Sequence, residues 1–158
     1  MDLNETDFKV VQHLMAQGRI TWSELAGLLE LSAPATADRV RRLEERQVIT
    51  GYAALVNPEF VGCSLAAFVA VTLDRPKHRD AFLKKVQLMP EVQECHHVTG
   101  DDDYFLKIRC RDTQDLERLV SEELKSITGV LKTRTTIVLS TAKETPMLPI
   151  KNSQDSGS

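Results

Sequence analysis

RVRRLEERQVITGYAALVNP, residues 39–58, begins as a basic helix and turns within a few residues into something that reads as a strand. Arg39, Arg41, Arg42 and Arg46 surround the carboxylates Glu44 and Glu45, and the helical pattern stops at Val48, Ile49, Thr50 and Gly51. The last apolar residues of such a helix must fold back onto a core. The following Gly51-Tyr52-Ala53-Ala54-Leu55-Val56, closed by Asn57-Pro58, predicts a strand that carries the chain out of a first domain. The stretch is a seam, and the fold is read outward from it in both directions.

Upstream, residues 4–17 place Phe8, Val11, Leu14 and Met15 at helical spacing, with Asn4 as N-cap and Asp7 three residues on. Gly18 ends that helix, and Thr21-Trp22-Ser23-Glu24 repeats the capping-box pattern ahead of Leu25, Ala26, Leu28 and Leu29. Leu31-Ser32-Ala33-Pro34 is a tight connection into a third helix, with a serine cap and a proline in the first turn, where a missing N–H costs nothing. In that helix Ala33, Ala37, Val40 and Leu43 fall on one stripe, which leaves Pro34, Ala35, Thr36, Asp38 and the arginines on its flanks and outer face. Two short helices joined by a brief turn, the second small at its tip and basic along its side, suit entry into a DNA major groove.

Downstream, LAAFVAVTLD reads as a strand, PKHRDAFLKKVQLMP as a helix with Phe82, Val86 and Met89 on one face, and VQECHHVTG and DYFLKIRC as two further strands. DTQDLERLVSEELKSI is a helix with Leu116, Leu119, Val120 and Leu124 inward, and VLKTRTTIVLS is a last strand. The order β-α-β-β-α-β predicts a ferredoxin-like antiparallel sheet with both helices on one side, so the chain as a whole is α+β. In the first strand Leu65, Ala67, Val69, Val71 and Leu73 line one face while Ala66, Phe68 and Ala70 line the other. Two helices cover only one face, and the same sheet from a second copy is the most economical cover for the other, which predicts a homodimer. The expected organisation is a helix-turn-helix domain over 1–50, a linker strand over 51–62, the ferredoxin-like domain over 63–142 and a disordered tail over 143–158, polar and without periodicity.

Bulk properties narrow the function. The net charge of −3 excludes a chain coated in positive potential, so any nucleic-acid contact must be a local patch. Residues 1–57 hold six basic and eight acidic side chains, which implies few neutralised phosphates per head and affinity gathered from several heads on one DNA. The longest apolar stretch falls short of the roughly 18 to 20 residues of a membrane span, and the N-terminus lacks the layout of a signal peptide, so a cytoplasmic location with no membrane partner is expected. Cys63, Cys95 and Cys110 are odd in number and widely spaced, which reads as buried free thiols. Strand alternation sends Cys95 and His97 to one face and His96 to the other, so they cannot converge on one metal ion. With no Ser/His/Asp grouping, phosphate-binding loop or GxGxxG, neither an enzyme nor a cofactor is expected.

The stretch from GRITWSELAGLLELS to RVRRLEERQVITGYAALVNP, followed by VQECHHVTGDDDYFLKI, resembles the feast/famine (Lrp/AsnC) family of transcription regulators over about residues 2–142. The resemblance implies a winged helix-turn-helix head that binds double-stranded DNA as a dimer, assembly into larger rings such as octamers, and a small effector, often an amino acid, between dimers. Placed after a helix-turn-helix, Arg39 and Arg42 are expected to contact phosphates or bases, with Ser32, Pro34, Ala35 and Thr36 entering the groove. Arg41 and Arg46 fit intramolecular pairs.

Out of context Gly100 to Asp103 is a solvated hairpin turn, and its spacing does not match a calcium loop. By resemblance, Gly100, Asp101, Asp103 and Tyr104 form the effector-proximal turn, where glycine lets amides approach a carboxylate and an aspartate receives an ammonium. Val98, Thr99, Thr135 and Thr136 are further candidates for the lining. Asp102 departs from the less uniformly acidic family turn. The expected function is sequence-specific transcription regulation modulated by a metabolite; the alternative is a metabolite-binding protein that acts through a protein partner.

Overall fold

The computed structural model describes residues 3–150. It divides into two compact units, one running to Leu55 and rejoined by the segment from Glu144, the other spanning Val56–Lys143.

The first unit holds α1 (Glu5–Ala16), α2 (Trp22–Leu29) and α3 (Ala33–Glu45). Each starts where its cap demands. Asn4 and Asp7 close one capping box and Thr21 and Glu24 another, while the Ser32 hydroxyl accepts the Ala35 N–H at 3.2 Å. Each cap stabilises its helix by about 1 kcal/mol. Val10, Leu14, Ile20, Leu25, Val40 and Leu43 form the core between the helices.

Two stripes lie one residue round from their expected positions. On α1 the buried line is Asp7, Val10 and Leu14, with Phe8, Val11 and Met15 at its half-buried margins. On α3 it is Thr36, Val40 and Leu43, whereas Ala33 is exposed and Ala37 half-buried. A carboxylate and a hydroxyl thus occupy core-facing positions that a purely apolar count passes over.

The linker strand expected over 51–62 is absent. Residues 51–57 adopt no strand, and Pro58–Val61 is a short 3-10 turn. Leu55 and Val56 are exposed, with no neighbouring strand to receive their backbone groups. For the same reason the head has no β wing among the described residues. In the tail, residues 143–150 form no helix or strand, although the Ile150 carbonyl accepts from the Gln12 amide at 3.5 Å. The rest of the expected disordered tail, 151–158, lies outside the described residues.

The second unit holds β1 (Leu65–Leu73), α4 (Arg79–Gln87), β2 (Val92–His97), β3 (Tyr104–Cys110), α5 (Thr113–Arg118) continuing as a π-helix over Leu119–Leu124, and β4 (Val130–Ile137). The sheet order is β2-β3-β1-β4 and every neighbouring pair is antiparallel, the ferredoxin-like arrangement. Ala67, Val69 and Val71 of β1 and Tyr104, Leu106, Ile108 and Cys110 of β3 pack against Phe82, Val86 and Met89 and against Leu116, Leu119, Val120 and Leu124.

The opposite face is less apolar than β1 alone suggests. Ala66, Phe68 and Ala70 run down its middle, and Phe68 stacks on Phe105 with ring centroids 5.4 Å apart. The cross-strand register surrounds them with Glu94, His96, Lys107, Arg109, Lys132, Arg134 and Thr136. Cys110 is buried, Cys63 and Cys95 are half-buried, and all three thiols are free.

Candidate functional site

The outer surface of α3 sorts its residues by exposure. Ser32, Pro34 and Ala35 are exposed at the tip. The Ser32 oxygen is used as a cap acceptor, which leaves its hydrogen free to donate. The first turns of α1 and α2 carry acids, Glu5 and Asp7 in one and Glu24 in the other, whereas that of α3 carries none. The positive end of the α3 dipole is therefore open to an anion.

Two of the expected contacts sit elsewhere. Thr36 is fully buried, and its hydroxyl oxygen has no hydrogen-bond partner, so it faces the core between the helices and cannot enter a groove. Arg39 donates to Asp7 at 2.7 Å and to Asn4 at 3.4 Å, with 24 % of its side chain exposed and 10 % of Asp7's. Burial pushes the Asp7 carboxyl up, but the Arg39 bond, the Asn4 N–H and the charges of Arg39 and Arg46 outweigh it and hold the group below its ordinary value. Arg39 is a strut between α1 and α3. Sequence reasoning missed it because Asp7 was read only as a capping residue.

Arg42 behaves differently. It is exposed and reaches Asp38 at 3.2 Å, and the same carboxylate is shared with Arg41, which also bonds Glu45 at 2.8 Å. Exposed pairs of this kind hold by well under about 1 kcal/mol, so a phosphate can replace the carboxylate. Beyond the helix, the Tyr52 hydroxyl donates to Glu44 at 2.8 Å; burial and this bond push its pKa up to about 12.

In the second unit the acidic turn is tied to the sheet. Gly100 has φ +110°, a left-handed value that favours glycine. The Asp103 N–H donates to the Val71 carbonyl at 2.9 Å, its carbonyl accepts from Val98 at 3.0 Å, and its carboxylate accepts the Leu73 N–H at 2.7 Å. The Asp102 carboxylate accepts the Thr72 hydroxyl at 3.2 Å and the Arg134 guanidinium at 2.6 Å. Asp101, Thr99 and Gly100 are exposed and Val98 is half-buried.

Behind the turn lies a hollow of about 270 Å³ lined by Leu73, Asp74, Arg75, Pro76, Arg79, His97, Asp103 and Tyr104. The Tyr104 ring stacks on His97 at 5.1 Å and has the Arg79 guanidinium 6.0 Å from its centroid; its hydroxyl is buried without a partner. The structure thus brings Asp103 and Tyr104 together at one cavity. Thr135 and Thr136 are neighbours on β4 and point to opposite sheet faces, Thr136 beside Phe68 and Thr135 beside Val69, outside that lining. Arg75, Arg79 and His97 were not foreseen. For His97 the signal was present in the alternation that sends it to the helix side with Tyr104. Among the described residues no group of His, Cys, Asp and Glu could hold a metal ion.

A helix-turn-helix head on a four-stranded antiparallel sheet unit with such a turn defines a DNA-binding regulator with a ligand-binding domain. Residues 3–50 match the family model for winged helix-turn-helix DNA-binding, and residues 66–148 match that for the Lrp/AsnC ligand binding domain. The leucine-responsive regulatory protein of Escherichia coli (strain K12) is 41 % identical over 152 residues, covering 95 % of this chain and 93 % of its own. A transcriptional regulator from Neisseria meningitidis, solved as an L-methionine complex, superposes with a TM-score of 0.89 at 34 % identity over 94 % of this chain and 97 % of its own. A feast or famine regulatory protein from M. tuberculosis complexed with L-methionine gives 0.86 at 39 % identity, over 93 % and 99 %. The chain belongs to the Lrp/AsnC family and is a DNA-binding transcription regulator modulated by a small metabolite.

Proposed function

We propose that the head binds specific double-stranded DNA with the tip of α3, using Ser32, Pro34 and Ala35 in the groove and Arg42 on a phosphate, and that an α-amino acid bound at the turn of the second unit modulates this. The observation that carries the reading is the sorting of α3: the exposed tip is small, capped and free of acid, while its exposed arginines, Arg41 and Arg42, are held by carboxylates that a phosphate can displace. Gly100 opens the turn for amide contacts to a carboxylate, and Asp101 and the hollow beside Asp103 and Tyr104 supply acidic and aromatic contacts for the remainder of an amino acid. L-methionine and L-leucine are the first effectors to test, given the relatives' complexes and names.

The chain acts as a homodimer joined through the Phe68 and Phe105 face of the sheet, and dimers join further into assemblies such as octamers, which gathers several weakly charged heads on one DNA. The deciding experiment is a gel-shift titration on the DNA upstream of the protein's own gene, with and without each amino acid. Retardation that an amino acid alters is the expected result. No retardation at micromolar protein in low salt refutes the assignment of α3, and the head then acts on a protein partner.

A further inference from the structure

We propose that Arg134 is a positioning residue for ligand recognition: by pairing with Asp102 it cancels one charge of the acidic turn, so that the turn accepts a zwitterionic amino acid in preference to a bare amine. The inference rests on the ligand-binding role of the turn given above.

Three consecutive aspartates stand at 101–103, and the structure treats each differently. Asp103 is bonded to β1 through its N–H and its carboxylate, but the donor to that carboxylate is the neutral Leu73 amide, which supplies a hydrogen bond and no charge. Asp101 is exposed and makes no hydrogen bond or ion pair among the described residues. Only Asp102 meets a cation within hydrogen-bond distance. Its side chain is 12 % exposed, with one oxygen on the Thr72 hydroxyl and the other 2.6 Å from Arg134.

Arg134 arrives from β4, opposite Ala70 and one residue before Thr135. Its position on a sheet strand fixes it relative to the turn, whereas Arg75 and Arg79 stand on the segment after β1 and face the hollow.

The electrostatics follow from the count. A free amine gains from every negative charge on the turn, but an α-amino acid also brings a carboxylate, which those charges repel. With Arg134 in place Asp102 contributes no net charge. Without it, one further charge stands on the turn, and a unit charge acting across about 8 Å in a medium between protein and water shifts relative carboxylate affinity by about 5- to 10-fold. Asp102 is thereby a strut and Asp101 the carboxylate left for the ammonium.

The test uses the full chain and calorimetric titration with L-leucine and L-methionine, each against the amine that lacks its carboxyl group, 3-methylbutylamine and 3-(methylthio)propylamine. In R134Q the preference for the acid over the amine falls by about 5- to 10-fold, while R134K keeps it. Adding D102N to R134Q removes the excess charge and restores the preference. D102N alone leaves the guanidinium without its counter-charge and raises it, which gives an answer even if R134Q fails to fold. An unchanged preference in R134Q, or no recovery in the double variant, overturns the proposal while wild-type binding stands. Wild-type protein that binds neither amino acid overturns the ligand role of the turn and this inference with it.

Discussion

Replacing Arg39 with alanine should unfold the head more readily, and the cost can be worked from its partner. Asp7 is only 7 % exposed, and Arg39 donates to it at 2.7 Å. Truncation leaves that carboxylate with the Asn4 N–H at 3.1 Å and little water. A buried acceptor that loses its partner costs about 1–3 kcal/mol, and a buried charge stripped of its counter-ion about 3–5 kcal/mol. Because Asp7 keeps one backbone bond and can take up a proton, about 2 kcal/mol is expected, or a shift of roughly 2 M in the urea midpoint for a unit this small. The chain's single tryptophan, Trp22, lies on α2 and reports the head alone by fluorescence. The control is Arg42→Ala, whose exposed pair with Asp38 predicts a loss under about 0.5 kcal/mol. The gap between the variants should also depend on pH. Since the Asp7 carboxyl is held below its ordinary 3.8, the stabilisation is fully present above that value and is lost as pH falls through the folded value, so the penalty of Arg39→Ala shrinks in acid. Equal midpoints for the two variants at neutral pH would refute the strut.

Three further outcomes follow from local geometry. Gly129 has φ +94°, and an added Cβ would lie 2.3 Å from the His78 Cβ, so Gly129→Ala should cost about 2–4 kcal/mol in thermal unfolding, whereas Gly27→Ala, on α2 with nothing within 4 Å of the added Cβ, should leave stability unchanged or raise it by about 0.5–1 kcal/mol. Arg111 and Arg118 hold the Asp115 carboxyl down at about 2, from an ordinary 3.8; the stability it gives is present above 3.8 and lost as pH falls towards 2, so Asp115→Asn should flatten the acid limb of urea midpoints in that window. In DNA titrations the slope of log K against log salt should be about −1 to −2 per head, from one or two phosphates, and a slope steeper than about −4 per head would contradict the paired state of Arg41 and Arg42.

Most of the fold was legible because its signals are local or periodic. Asn4, Thr21 and Ser32 start the three helices, as capping chemistry demands. Phe82, Val86 and Met89 and the quartet from Leu116 to Leu124 are buried, as their spacing predicts. Most of the failures concern residues whose place depends on a distant partner, and one concerns a stripe drawn one residue off. Residues 51–56 have strand composition, but a strand needs a neighbour to bond, and the described residues offer none. Thr36 was placed in a groove because the inward stripe was drawn through Ala33 and Ala37, yet it stands four residues before Val40 and seven before Leu43, on the buried stripe. At the turn, the acidic run and Gly100 were visible, whereas the Arg134 bond to Asp102 spans 32 positions and has no local signature.

The arginines of α3 look alike in the sequence, and burial separates their roles. A largely buried ion pair is held because breaking it leaves a charge with neither partner nor full hydration; this is the case of Arg39 and Asp7. A pair left in water is weak and exchangeable, as with Arg42 and Asp38. Binding DNA then requires only that phosphate oxygens replace carboxylate oxygens around the same guanidinium, so Asp38 acts as a stand-in that sets how much each contact gains. The shared carboxylate also explains how a head with more acids than bases can still dock. Two of its carboxylates, Asp38 and Glu45, lie on the flank of α3 where exchange relieves them, while the first turn of that helix carries none. On the proposed reading, specific contacts at the tip and several heads on one DNA supply what the low charge withholds, an arrangement that a ligand acting on assembly would control.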